Sequence, residues 1–145
     1  MNKKSFKILG ITLARGGSKS IPKKNIKPMC GKPLIAYAIE ASIKSDSAET
    51  WVSTDNDEIA EISREYGAKV IKRPEEIATD HSTSESALLH FAKEIKDFDI
   101  IIFLQATCPF VQDSDINNLP PCNPSLILDT VDCKNGRSSP SLPRA

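Results

Sequence analysis

The chain is poor in the features that mark the special classes of protein. Its four cysteines, Cys30, Cys108, Cys122 and Cys133, are scattered with no CxxC pair, and neither histidine, His81 nor His90, stands at ligand spacing from them. A zinc site is therefore not predicted. No stretch approaches the roughly 20 apolar residues needed to cross a bilayer. The apolar run between Lys7 and Arg15 offers only seven uncharged positions, at the lower edge of a signal-peptide core, and reads better as a strand. Net charge is absent as well, since Lys and Arg number 19 and so do Asp and Glu. The basic stretch has no interleaved aromatics for stacking, so neither nucleic acid nor a membrane surface is the expected partner. The expected setting is cytoplasmic, or nuclear if the source is an animal.

What is present is an alternation of strands and helices. At 145 residues the chain has room for one ordinary domain. "KILGITL" (Lys7 to Leu13) is an apolar, partly β-branched run suited to a strand buried on both faces. "PLIAYAIEASIKS" places Ile35, Ile39 and Ile43 beside Ala38 on one helical stripe, with Pro33 at the start, where its missing N–H costs nothing. "TWVST" is a second strand. "DNDEIAEISREYG" is a second helix with Asp57 and Glu58 in its first turn and Gly67 as its stop. "AKVIK" is a third strand, and Ser82 with Glu85 has the spacing of a capping box before a helix that buries Leu88, Phe91, Ala92 and Ile95. "DIIIFLQAT" is a fourth strand. Such an order implies parallel pairing and right-handed crossovers, hence an open α/β sheet with flanking helices over residues 1–116. From Asn117 to Ala145 the chain holds five of its ten prolines and is expected to be an irregular or disordered tail.

The loop "ARGGSKSIPKKN" after the first strand carries the chemistry. A glycine-rich loop between a strand and a helix is where open α/β folds bind phosphates. It is neither a GxxxxGK[ST] loop nor a GxGxxG loop, because Gly16 and Gly17 are adjacent and no lysine follows a glycine at the required spacing. Gly16 and Gly17 allow backbone N–H groups to approach an anion, Arg15 offers a planar fork, and Lys19 and Lys24 offer point charges. Asn25 can present its amide to a sugar hydroxyl or a base edge. A merely solvated basic loop is the competing reading. The acids from Asp46 to Glu65, Asp55 and Asp57 among them, read as helix-start residues and a solvated face.

"ARGGSKSIPKKNI", "GKPLIAYAIEAS", "WVSTDNDEIAEISREYGAKV", "RPEEIATDHSTSESAL" and "LQATCPF", in that order from about Lys7 to Asp115, resemble the CMP-N-acetylneuraminate synthetases, the acylneuraminate cytidylyltransferases. The resemblance implies a Rossmann-like nucleotidyltransferase sheet. It implies transfer of CMP from CTP to N-acetylneuraminate, or to a related 2-keto sugar acid, with release of pyrophosphate and with Mg²⁺. On it, Arg15 and Lys24 match phosphate-contacting cations and Asn25 a nucleotide-contacting asparagine. Arg73 matches an arginine at the nucleotide site, Ser82 and Ser84 match substrate-contacting hydroxyls, and Gln105 matches a substrate-contacting glutamine. Ser82 and Ser84 also have a purely structural reading as helix-capping residues. Arg15, Arg73 and Gln105 all lie just past predicted strand ends, where a parallel sheet opens.

Two departures stand out. Ser20 occupies a position where the family usually has glycine, and a positive φ there would cost on the order of 1 kcal/mol. The family's metal-binding aspartates, its catalytic arginine and its homo-oligomerisation segment are implied to lie beyond the matched region, and residues 117–145 match none of them. The chain is thus expected to be a truncated, nucleotide-binding half with no identifiable metal ligands, and a catalytically silent nucleotide-binding fragment is the alternative reading.

Overall fold

The computed structural model describes residues 6–46 and 49–118 and, farther on, the backbone of two strands, 128–132 and 137–140. The elements in order are β1 (Ile8–Leu13), a small hairpin of β2 (Pro28–Met29) and β3 (Lys32–Pro33), α1 (Leu34–Lys44), β4 (Glu49–Thr54), α2 (Asp57–Glu65), β5 (Lys69–Lys72), α3 (Ser84–Glu94), β6 (Ile100–Gln105), α4 (Asp113–Asn117), β7 (Leu128–Asp132) and β8 (Arg137–Pro140). The main sheet runs β5-β4-β1-β6-β7-β8, with all neighbours parallel except β7 and β8.

Period-two alternation along the central strands explains the three layers. Leu9 and Ile11 of β1 and Ile101 of β6 pack with Leu88 and Phe91 of α3 on one face. Ile102 and Leu104 face the other way, against Ala38 and Ala41 of α1 and Ile116 of α4. Val52 of β4 joins Ile35 and Ile39 of α1 and Ile59 of α2 in that second layer. Burying a large apolar side chain in this way contributes about 1.5–3 kcal/mol. Phe91, wholly buried, also meets Trp51 edge-on at a centroid distance of 5.6 Å.

The chain leaves β1 toward β4 and β5, then returns through α3 to place β6 on the other side of β1. The strand order therefore reverses between β1 and β6, and a parallel sheet opens a crevice at such a reversal, beyond the carboxyl ends of its strands.

Several local expectations shift. Ile43 is 47% exposed, because eight residues at 100° each carry it about 80° around the helix from Ile35. Pro33 is the N-cap of α1, one position before the first helical residue, and its partner in the hairpin is Pro28. The cap of α3 is Thr83, whose side chain accepts from the Ser86 N–H at 3.2 Å, so the predicted Ser82–Glu85 capping box does not form. Helix α4 was not foreseen. Its backbone begins with a capping box of Gln112 and Asp115 and its last residue, Asn117, accepts from the Asp46 N–H at 2.8 Å, which ties α4 to the end of α1. Within the segment read as an irregular tail, strands β7 and β8 are described; the open edge of β6 offers the unpaired backbone groups that β7 uses. Asn117 and Asn118 belong to the end of α4, and the remainder of that tail lies outside the described residues.

Candidate active site

The loop after β1 is held at three points. The Ala14 N–H donates to the Ser53 carbonyl at 2.9 Å, the Gly16 N–H donates to Asp55 Oδ1 at 2.9 Å, and the buried Asn25 donates Nδ2–H to the Arg15 carbonyl at 3.1 Å. Asp55 is thus a loop anchor and not simply a helix-start acid. The α2 cap is Asn56, whose side chain accepts from the Ile59 N–H. The loop crosses this cap so closely that a Cβ on Gly16 would lie 2.8 Å from Asn56 Cβ. Gly16 is therefore required by close approach, and its N–H is already engaged. A Cβ on Gly17 would meet nothing within 4 Å and, among the described residues, the Gly17 N–H has no hydrogen-bond partner. It is Gly17, then, that keeps a donor available for an anion. The residue with positive φ in this loop is Lys23, at 51°, and not Ser20, so the serine carries no such strain. Lys23 reaches Glu58 at 2.6 Å, which makes part of the acidic stretch a partner of the loop.

Beyond the carboxyl ends of β1, β5 and β6 lies an open cavity of about 350 Å³. One wall is Arg15, Ser18, Lys24 and Asn25 from the loop; a second is Arg73 with Thr79, Asp80 and Ser82 to Ser84; Phe103 and Gln105 of β6, with Thr107 just beyond it, complete it. The backbone brings these together because Arg73 immediately follows β5, and its N–H donates to the Thr54 carbonyl at 2.8 Å.

Arg73 is the buried charge of the site, 6% exposed. Its Nε donates to Ser53 Oγ at 3.2 Å and its Nη2 to the Ser53 carbonyl at 2.9 Å, and among the described residues no carboxylate forms an ion pair with it. Burial pushes the guanidinium below its usual range and nearby Arg15 adds to this, while Asp55 opposes it. A cation left short of counter-charge beside a cavity favours an anionic ligand. Arg15 meets Asp80 Oδ1 at 2.6 Å and Lys19 meets Asp80 Oδ2 at 2.7 Å. Lys24 makes no ion pair among the described residues.

Of the residues singled out from sequence, Arg15, Lys24, Asn25, Arg73, Ser82, Ser84 and Gln105 line this one cavity. Gly16, Gly17 and Lys19 are not among its lining residues, and Lys19 contacts the lining Asp80. Ser82 is engaged with Thr79, accepting from its N–H at 3.2 Å and sharing a hydroxyl contact at 2.8 Å. With Thr83 as the cap, helix capping no longer accounts for Ser82 or Ser84. From sequence Asp55 reads as a helix-start acid and Asp80 is not singled out; both sit in the quoted motifs, but an acid's partner across the sheet leaves no local signal. As for a divalent cation, Asp80 is the carboxylate among the lining residues and both its oxygens face cations. The described residues do not fit a metal site, and none of their His, Cys, Asp and Glu side chains cluster in threes.

A family model described as Cytidylyltransferase matches residues 9–120. N-acylneuraminate cytidylyltransferase B of Danio rerio is 43% identical over 107 residues, covering 74% of this chain and 25% of the relative. CMP-N,N'-diacetyllegionaminic acid synthase of Legionella pneumophila is 40% identical over 119 residues, covering 78% of this chain and 51% of the relative. Among solved structures, a CMP:2-keto-3-deoxy-manno-octonic acid synthetase complexed with CTP superposes with a TM-score of 0.70 at 28% identity, covering 78% of this chain and 45% of that one. The chain thus spans between a quarter and about half the length of these relatives.

Proposed function

Because the chain belongs to the cytidylyltransferase family, we propose that it binds CTP in the cavity beyond β1, β5 and β6 and transfers CMP to N-acetylneuraminate or a related 2-keto sugar acid, releasing pyrophosphate. The observation that carries this reading is the convergence of Arg15, Lys24 and the buried Arg73, which has no carboxylate ion-pair partner among the described residues, on one cavity at the topological switch of a parallel sheet. The names of the zebrafish and Legionella relatives support a sugar-acid acceptor, and the CTP bound to the octonic acid synthetase supports the nucleotide.

In the proposed reaction the anomeric hydroxyl of the sugar acid attacks the α-phosphorus in line and gives up its proton to solvent, while the bond from the α-phosphorus to the oxygen bridging it to the β-phosphorus breaks and pyrophosphate leaves. Negative charge grows on the departing pyrophosphate. Arg15 and Lys24, with the Gly17 N–H, neutralise that charge where it develops, which is the largest contribution a protein makes to phosphoryl transfer. Arg73 fixes the nucleotide, and Asn25, Ser82, Ser84 and Gln105 offer hydrogen bonds that orient the two substrates. Mg²⁺, implied by the resemblance, belongs to the proposal as a companion of the nucleotide phosphates, without protein ligands among the described residues. So do a cytoplasmic setting and homo-oligomerisation; no described helix is long and apolar enough to cross a membrane.

The test is to incubate the chain with CTP, Mg²⁺ and N-acetylneuraminate or N,N'-diacetyllegionaminate and to follow pyrophosphate. Release that depends on the sugar acid and drops at least tenfold in Lys24→Ala is expected. Turnover no greater than that of Lys24→Ala would overturn the transferase reading.

A further inference from the structure

Asp80 stands on the loop after β5, and the two cations it touches stand on the loop after β1. Its Oδ1 lies 2.6 Å from Arg15 Nη1 and its Oδ2 lies 2.7 Å from Lys19 Nζ, so one carboxylate bridges two walls of the cavity. The bridge is open to solvent, with the Asp80 side chain 30% and the Lys19 side chain 83% exposed, and an incoming ligand can reach it. A hydrogen bond from Lys19, helped by the charges of Lys19 and Arg15, holds the Asp80 carboxyl below the usual carboxylate range, so it is ionised at neutral pH. A carboxylate spread over two cationic side chains occupies the same donors that two phosphate oxygens would take. Lys24 and Arg73, on the same cavity, have no carboxylate partner of this kind among the described residues.

Resting on the reading that the cavity takes a polyphosphate, we infer that Asp80 is a specificity-determining residue that competes with ligand phosphates for Arg15 and Lys19. Apparent affinity falls by the fraction of molecules in which the cations are already taken. That reduction applies to every ligand whose phosphates need both cations and leaves untouched a nucleoside that has none. Exposed ion pairs are individually weak, so two of them together set a reduction of about three- to tenfold. Such a residue weakens the hold on phosphate-bearing ligands relative to those without phosphate, and so assists departure of the pyrophosphate product.

Calorimetric titrations of the whole chain and of Asp80→Asn with inorganic tripolyphosphate, CTP and cytidine test this, since asparagine keeps the size and removes the charge. The variant is expected to bind tripolyphosphate and CTP about three- to tenfold more tightly, with cytidine unchanged and with the gain lost in Arg15→Ala/Asp80→Asn. Asp80→Ser serves as a second variant should the asparagine disturb the loop, and the same gain is expected. Unchanged or weaker tripolyphosphate binding in both variants, an equal gain for cytidine, or no tripolyphosphate binding by any of the proteins would overturn the inference. A wild-type chain that fails to transfer CMP while Asp80→Asn gains tripolyphosphate affinity removes the proposed function and keeps the inference. CTP binding indifferent to Asp80 does the reverse.

Discussion

Two neighbouring glycines do different work here. Gly16 passes over the cap of α2, where a Cβ would press on Asn56 Cβ at 2.8 Å and on Asn56 Nδ2 at 2.9 Å, and its N–H is committed to Asp55. Gly17 faces open space with its N–H uncommitted among the described residues. Gly16→Ala is therefore expected to destabilise the chain by about 1–3 kcal/mol, as overpacking of a tight contact does. Gly17→Ala is expected to stay within about 0.5 kcal/mol while weakening phosphate binding by crowding the donor. Denaturant unfolding of the two variants checks this, and equal stabilities would show that the loop does not rest on the α2 cap. The diglycine was legible in the sequence as permission for a close approach. What approaches Gly16 was not, because Asn56 is distant along the chain and meets the loop only once β1 and β4 are paired.

At the scale of elements, the start of α2 holds the site together. Thr54 Oγ1 accepts from the Asn56 N–H at 3.1 Å, Asn56 caps the helix, and Asp55 between them holds the loop after β1. Replacing Asn56 by alanine is expected to cost about 0.5–2 kcal/mol, whereas aspartate, an equally good cap, should retain most of the stability. Thermal unfolding of Asn56→Ala and Asn56→Asp reads the difference, and no loss in the alanine variant would remove the cap from the account. The buried strands were legible because apolar runs such as Ile100 to Leu104 admit few other readings, and α2 because its acids and Gly67 mark both ends. The cap of α3 was misplaced by one residue because "STS" offers three hydroxyls in a row, and only packing chooses Thr83 among them. Helix α4 escaped because a five-residue helix carries too little periodicity to read, and its capping box starts at Gln112 rather than at serine or threonine.

For the molecule as a whole, strand order decides which residues meet. With β1 between β4 and β6, Arg15, Arg73 and Gln105 emerge on one rim although they are far apart in sequence. Parallel pairing, and hence the rim, was legible from the alternation of strands and helices. The contact of Asp80 with Arg15 and Lys19 was not, since it depends on how the loop after β5 folds back over the cavity. The central claim is that this rim grips the phosphates of CTP, and titration calorimetry of the chain with CTP tests it most directly. Saturable binding is predicted, weakened about 10- to 100-fold in Lys24→Ala, the range for loss of a charge-assisted hydrogen bond. No binding of CTP, or the same affinity in Lys24→Ala as in the wild type, would contradict the account.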